Sequence, residues 1–280
     1  MSPTSSSSDV PILALLLALA TFSLVLLAAG LVAPQREVAG LVSTTLRSRN
    51  GRLGLATVLT VIGFNIYETN LDGRIAPALG LDFTPWIASL EGDLPIWLQR
   101  GLAGHRLAPF WGWVYVFLYP CLAAAPVIAY YARRQHDALR GYVGAFAANY
   151  LLALPFYLFV PVTETGWFQP RTADPILENA LPGYIEFLRS SSALDNCFPS
   201  LHASLTLTAA FFAARHGPRR LALTCWCGGA LIVLSTWALG IHWVSDSVAG
   251  LLLAYAAARL GPALAAWLLD RPELAPQRAA

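Results

Sequence analysis

Apolar residues in this chain run in long blocks separated by shorter polar breaks. Blocks at roughly 10–33, 52–68, 108–131, 141–162, 199–215, 221–240 and 245–268 approach the ~20 residues a helix needs to cross a hydrocarbon core. The pattern predicts an all-α, polytopic transmembrane helix bundle of about six to seven spans in a single integral membrane domain, 1–280. The block at 52–68 is the weakest, and the last two are separated only by a polar break. Two connecting stretches are too long for turns. Residues 69–107 include TPWIASLEGDLPIWLQRGL, with Trp86 and Trp97, which predicts a short amphipathic helix lying in the membrane interface. Residues 163–198 are too polar to cross a bilayer, and long loops of this kind are often functional.

Composition agrees with the pattern. The 280 residues are 56% hydrophobic and 12% charged, against about 25% charged in soluble domains. Mean hydropathy is +0.56. All eighteen basic residues are arginine, so chemistry on a lysine amine, including a retinal Schiff base, is excluded. The cysteines are Cys121, Cys197, Cys225 and Cys227. Cys225 and Cys227 flank Trp226, a spacing that suits neither zinc nor a redox pair, and they read as small apolar fillers. The opening MSPTSSSSDV carries only Asp9 as a charged side chain. It lacks the basic start of a signal peptide, and the run behind it reads as a retained span.

Arginine then orients the bundle. Thirteen of the arginines fall on alternate loops, in 34–52, at Arg133, Arg134 and Arg140, in RHGPRR, and towards the C-terminus. Twelve of the sixteen acidic residues fall on the other side. The positive-inside rule predicts a multi-pass plasma-membrane protein with its N-terminus outside and its C-terminus cytoplasmic.

Chemistry concentrates at the outer rim. In LDNCFPSLHASLTLTAAFF (194–212), Asp195 or Asn196 is the expected helix cap and Pro199 suits the first turn. A helix N-terminus favours an anion, with Ser200 adding a hydroxyl and His202 a titratable ring. In LSTWALGIHWVSDSVAG (234–250), the sixth span delivers Ser235, Thr236 and His242 to the same face. Asp246 follows four residues after His242, a spacing that lets its carboxylate meet the ring. Such a bond fixes the tautomer and raises the basicity of the far nitrogen. An i,i+4 His–Asp pair is also found in purely structural roles, but ionisable groups near bilayer depth are costly and tend to be functional. His105, His136 and His216 read as wetted side chains. Asn65, Glu68 and Asp72 read as helix caps or head-group contacts. Asn149 reads as an interhelical hydrogen-bonding residue, and Tyr115 and Tyr119 as packing.

PSLH followed about forty residues later by STWALGIHWVSD resembles the type 2 phosphatidic acid phosphatase superfamily. The leucine in PSLH and the threonine after Ser235 look most like the inositol phosphorylceramide synthase branch. The resemblance implies a membrane lipid phosphatase or phosphotransferase that uses no metal and no cofactor, with a catalytic core at about 108–268. His242 would attack phosphorus and form a phosphohistidine, and Asp246 would orient it. His202 would protonate the leaving oxygen, and Ser200, Ser235 and Thr236 would line the phosphate site. The family's early lysine-containing motif has no match here. Arg171, in PVTETGWFQPR, is the expected phosphate ligand in its place, suited by its planar fork.

The implied partners are a lipid substrate, the bilayer, and either water or an alcohol acceptor; hydrolysis and transfer stay open. Nothing calls for nucleic acid, and oligomeric state is not readable. A transporter or channel is the alternative class, but it would need ionisable residues along the bundle interior, and the mid-span regions hold almost none. A vanadium haloperoxidase shares a related site but is soluble.

Overall fold

The computed structural model describes residues 78–170, 173–180 and 194–269, with scattered positions between 40 and 75. Its elements are α1 (Thr84–Glu91), α2 (Leu94–Gly101), α3 (Ala108–Ala132), α4 (His136–Phe159), a single turn (Leu177–Ala180), α5 (Leu201–His216), α6 (Arg219–Ala238) and α7 (Val244–Leu269). Among the described residues the only β feature is an isolated parallel bridge between Val162 and Asn196.

Four of these helices, α3, α4, α6 and α7, are long and apolar enough to span a membrane, and the protein is membrane-embedded on that ground. The expectation of six to seven spans is thereby corrected to four among the described residues. The block at 199–215 forms α5, which has 16 residues. At 1.5 Å per residue it reaches about 24 Å, short of a hydrocarbon core of about 30 Å. It is apolar for another reason: every residue from 203 to 210 is buried, and α5 packs against α3, α4, α6 and α7. A helix apolar on all sides is one buried on all sides. The block at 10–33 lies outside the described residues, as does most of 52–68.

Local sequence sets the irregularities. Part of α3 widens into a π-helical segment, Val114–Leu118, which ends two residues before Pro120. Proline lacks an N–H and its ring collides with the carbonyl four residues back, and a π turn relieves that collision. The polar break between the last two spans is real: α6 stops at Ala238 and α7 starts at Val244, with Gly240 at φ 75° making the turn.

Small residues and one polar pair bring the helices together. Gly144 of α4 faces the carbonyl of Gly261 of α7, and Gly261 faces the main chain at Ala145. Side chains larger than hydrogen would hold these backbones apart, which is the packing mode expected where lipid gives no hydrophobic drive. Asn149, fully buried, donates to Ala145 O at 2.8 Å and to Thr208 Oγ1 of α5 at 3.0 Å.

Candidate active site

The segment before α5 is pinned before the helix begins. Val162 N donates to Asp195 O at 2.7 Å, and Cys197 N to Val162 O at 3.1 Å. Tyr157 Oη holds Pro199 O at 3.0 Å. The cap of α5 is Ser200, whose Oγ accepts from Ala203 N at 3.3 Å. The expected cap, Asp195 or Asn196, is engaged in the bridge instead, and Pro199 precedes the cap. His202 therefore sits in the first turn, where the amides of Leu201 and His202 have no intrahelical acceptor.

His242 lies in the turn between α6 and α7, not on α7 itself. Ile241 N and His242 N both donate to Thr236 O, at 2.9 and 3.4 Å. Asp246, at the third position of α7, reaches back: its Oδ2 accepts from Trp243 N at 2.9 Å and from His242 Nδ1 at 3.2 Å. The first contact is the acidic half of a capping box. The second places the lone pair of a neutral ring on Nε2. Asp246 is wholly buried and His242 is 5% exposed. Asp246 Oδ1 has no partner among the described residues. Burial pushes the His242 pKa from 6.5 down to about 3, against a hydrogen bond to the Cys197 main chain that raises it.

The two motifs meet. The rings of His202 and His242 lie 5.8 Å apart, centre to centre, at 55°. Gly250 of α7 allows it, because a Cβ there would fall 2.6 Å from Ser200 O and 2.9 Å from Ala203 Cβ. On its other side His202 is flanked by Tyr115 at 4.5 Å and Tyr119 at 4.8 Å. Both tyrosines, expected to be packing, are neighbours of the site. They lie on one face of α3, Tyr115 within the π segment and Tyr119 just after it.

The remaining candidates separate into three groups. Ser235 and Thr236 are buried in the last turn of α6, and their hydroxyls donate to Ile232 O and Val233 O, each at 2.7 Å. Their protons are thus committed to their own helix. Arg171 lies outside the described residues, as do Asn65, Glu68 and Asp72. His105 forms an exposed pair with Asp174 at 2.9 Å.

Two further side chains belong to the site's surroundings. Cys197 is buried, with Sγ facing Ile241 O at 3.5 Å. Cys197, His242 and Asp246 present donor atoms within 4.8 Å of one another, a zinc-type donor set. Here the thiol hydrogen-bonds a carbonyl and Asp246 Oδ2 takes two N–H groups, while Asp246 Oδ1 has no partner among the described residues. Glu91 of α1 accepts from Val244 N at 3.0 Å and from Ser245 N and Ser245 Oγ, both at 2.6 Å. No local sequence signal joins it to α7, since it lies 153 residues away.

A buried carboxylate orienting one imidazole, with a second imidazole facing it at a helix N-terminus, suits nucleophilic transfer of an anionic group. The model of one protein family, the PAP2 superfamily, matches residues 83–260. That span runs from the start of α1 into the second half of α7 and takes in both histidine motifs. No curated protein and no solved structure matches the chain. Covering well over half of the sequence, the match shows that this chain belongs to the PAP2 superfamily, the type 2 phosphatidic acid phosphatases.

Proposed function

We infer that the protein is a membrane phosphatase or phosphotransferase, a reading supported by its family. We propose that it cleaves a phosphoester of a membrane lipid through a phosphohistidine, with no metal ion. Nε2 of His242 attacks phosphorus, a P–N bond forms, and the P–O bond to the departing alcohol breaks. His202 gives that oxygen its proton. In the second step His202 takes a proton from water or from a second alcohol, whose oxygen attacks phosphorus as the P–N bond breaks. The division needs one imidazole neutral and the other protonated; burial pushes the pKa of both His202 and His242 down to about 3, and only an anionic phosphate bound beside His202 would favour its charged form.

The phosphoryl oxygens are held by the free amides at the start of α5, by the Ser200 hydroxyl proton and by Arg171. Ser235 and Thr236 line the base of the site. Arginine placement sets this end of the bundle at the outer leaflet of the plasma membrane, with the C-terminus cytoplasmic. The PSLH and Ser235–Thr236 forms favour phosphoinositol- or phosphosphingolipid-type substrates and transfer to an alcohol.

The observation that carries the reading is the placement of the His202 and His242 rings 5.8 Å apart, with Asp246 on Nδ1 of His242. Product analysis with purified protein and labelled lipid, with and without an alcohol acceptor, tests it. Vanadate-sensitive turnover that disappears in His242→Ala is expected; turnover that survives in that variant removes the mechanism.

A further inference from the structure

Glu91 is in a locally unfavourable place. It is the last residue of α1, where the helix dipole disfavours a carboxylate. Yet it makes three short contacts to the other end of the described chain, with Val244 N, Ser245 N and Ser245 Oγ. The carboxylate bridges the negative end of α1 to the positive end of α7. A residue at odds with its own helix and satisfied only through tertiary partners marks a site where function competes with local preference.

The surroundings explain how α1 can hold this position. Thr84 and Ile87, each 1% exposed, share the inward face with Glu91. Phe83, Trp86 and Leu90 form the outward face, with Trp86 and Leu90 each 66% exposed. The spacing 84, 87, 91 against 83, 86, 90 is that of an amphipathic helix. Thr163 N donates to Thr84 Oγ1 at 2.9 Å and Phe83 N to Pro161 O at 3.0 Å, which fixes the helix to the end of α4.

Val244 and Ser245 are two of the three residues between His242 and Asp246. Their amides are the first donors of α7 and have no intrahelical acceptor. With Glu91 in place they are satisfied from outside, and Asp246 Oδ2 is left to Trp243 N and the His242 ring. Without Glu91, two orphaned amides lie one and two residues from Asp246, and capping them with its carboxylate would turn it away from His242. We propose that Glu91 is a positioning residue: it caps α7 from the interfacial helix so that the Asp246 carboxylate stays on Nδ1 of His242. This rests on the reading of His242 and Asp246 as the catalytic pair.

The test uses the full chain in detergent or nanodiscs, with Glu91→Ala, Glu91→Gln and Ser245→Ala. Glu91→Ala is expected to lower kcat by up to about 100-fold, the scale of a misplaced catalytic group, with KM little changed and the acid limb of the pH–kcat profile displaced. Glu91→Gln keeps an acceptor oxygen and is expected to lose less, and Ser245→Ala least. Hydrogen exchange over 243–246, which needs no turnover, is expected to quicken in Glu91→Ala. Wild-type exchange there in Glu91→Ala overturns the capping role. Faster exchange with wild-type kcat and pH profile reduces Glu91 to a structural cap and overturns the positioning role. Should Glu91→Ala fail to fold, wild-type kcat in Glu91→Gln together with unchanged exchange overturns it equally. If wild-type turnover does not depend on His242, the catalytic reading falls, and the exchange result still decides whether Glu91 caps α7.

Discussion

The main-chain amide of Ser200 donates to the main-chain carbonyl of Asp246 across 3.1 Å. This bond ties α5 to α7 at the level of the two imidazoles, independently of any side chain. It holds because Gly250, one turn further along α7, lets the two backbones touch.

Gly250→Ala therefore strikes both stability and catalysis. The added methyl meets a main-chain oxygen and Ala203 Cβ, neither of which has room to swing aside. A loss of about 1–3 kcal/mol is expected, as for other overpacked sites, with lower kcat as His202 moves away from His242. Thermal unfolding in detergent and steady-state kinetics check it; a wild-type kcat would show that the α5–α7 approach does not set the site.

Asp246→Asn separates charge from shape. The side-chain oxygen can still accept from Trp243 N and His242 Nδ1, and the amide nitrogen occupies the place of Oδ1, which has no partner to lose. The melting temperature should stay close to wild type. Turnover should fall by about 10²–10⁴-fold, the usual contribution of acid–base assistance, as the carboxylate no longer steadies a charged His242.

Tyr115 and Tyr119 should matter through their rings. Tyr119→Phe keeps the face against His202 and is expected to retain most activity. Tyr119→Ala leaves the imidazole free to rotate and should lower kcat more than it raises KM. Equal kinetics for the two variants would dismiss the ring as a restraint.

Acid should destabilise the fold through His242. Its folded pKa is about 3 against 6.5 for the free ring. Between those values the unfolded chain binds a proton that the folded chain does not, so stability falls as pH drops from 6.5 towards 3. Above 6.5 this group adds no dependence. Melting curves across that window should be flatter for His242→Asn than for wild type.

Asn149→Ala should cost about 1–3 kcal/mol, since it leaves Thr208 Oγ1 without its 3.0 Å donor in a buried contact. Adding Thr208→Val should recover part of the loss by removing the second polar group. Melting temperatures of the two single variants and the double variant give the coupling directly.

His202, His242 and Asp246 were legible in the sequence because histidine and aspartate at helix ends of an apolar chain have few bland uses, and their spacing placed them together. Glu91, Tyr115 and Tyr119 were not. Glu91 meets α7 from 153 positions away, beyond any periodic signal, and the face the two tyrosines share is readable from their spacing while its contact with His202 is not. The cap of α5 was misplaced because Asp195 and Asn196 are good caps in isolation, while the bridge to Val162 takes that stretch into extended backbone. The span count failed on α5 for a related reason. An apolar run reports only that a segment avoids water, and protein serves that purpose as well as lipid.

Being enclosed by α3, α4, α6 and α7, α5 has no length to match to the bilayer. Changes in lipid thickness reach only the surrounding shell, which can tilt or stretch while the inner rod keeps its register. A polar substitution at Thr206 or Thr208 is accordingly judged by its protein neighbours and not by oil. Among the described residues, the histidine-bearing tip rides on a helix whose stretch 203–210 the surroundings, whether fatty or aqueous, barely touch.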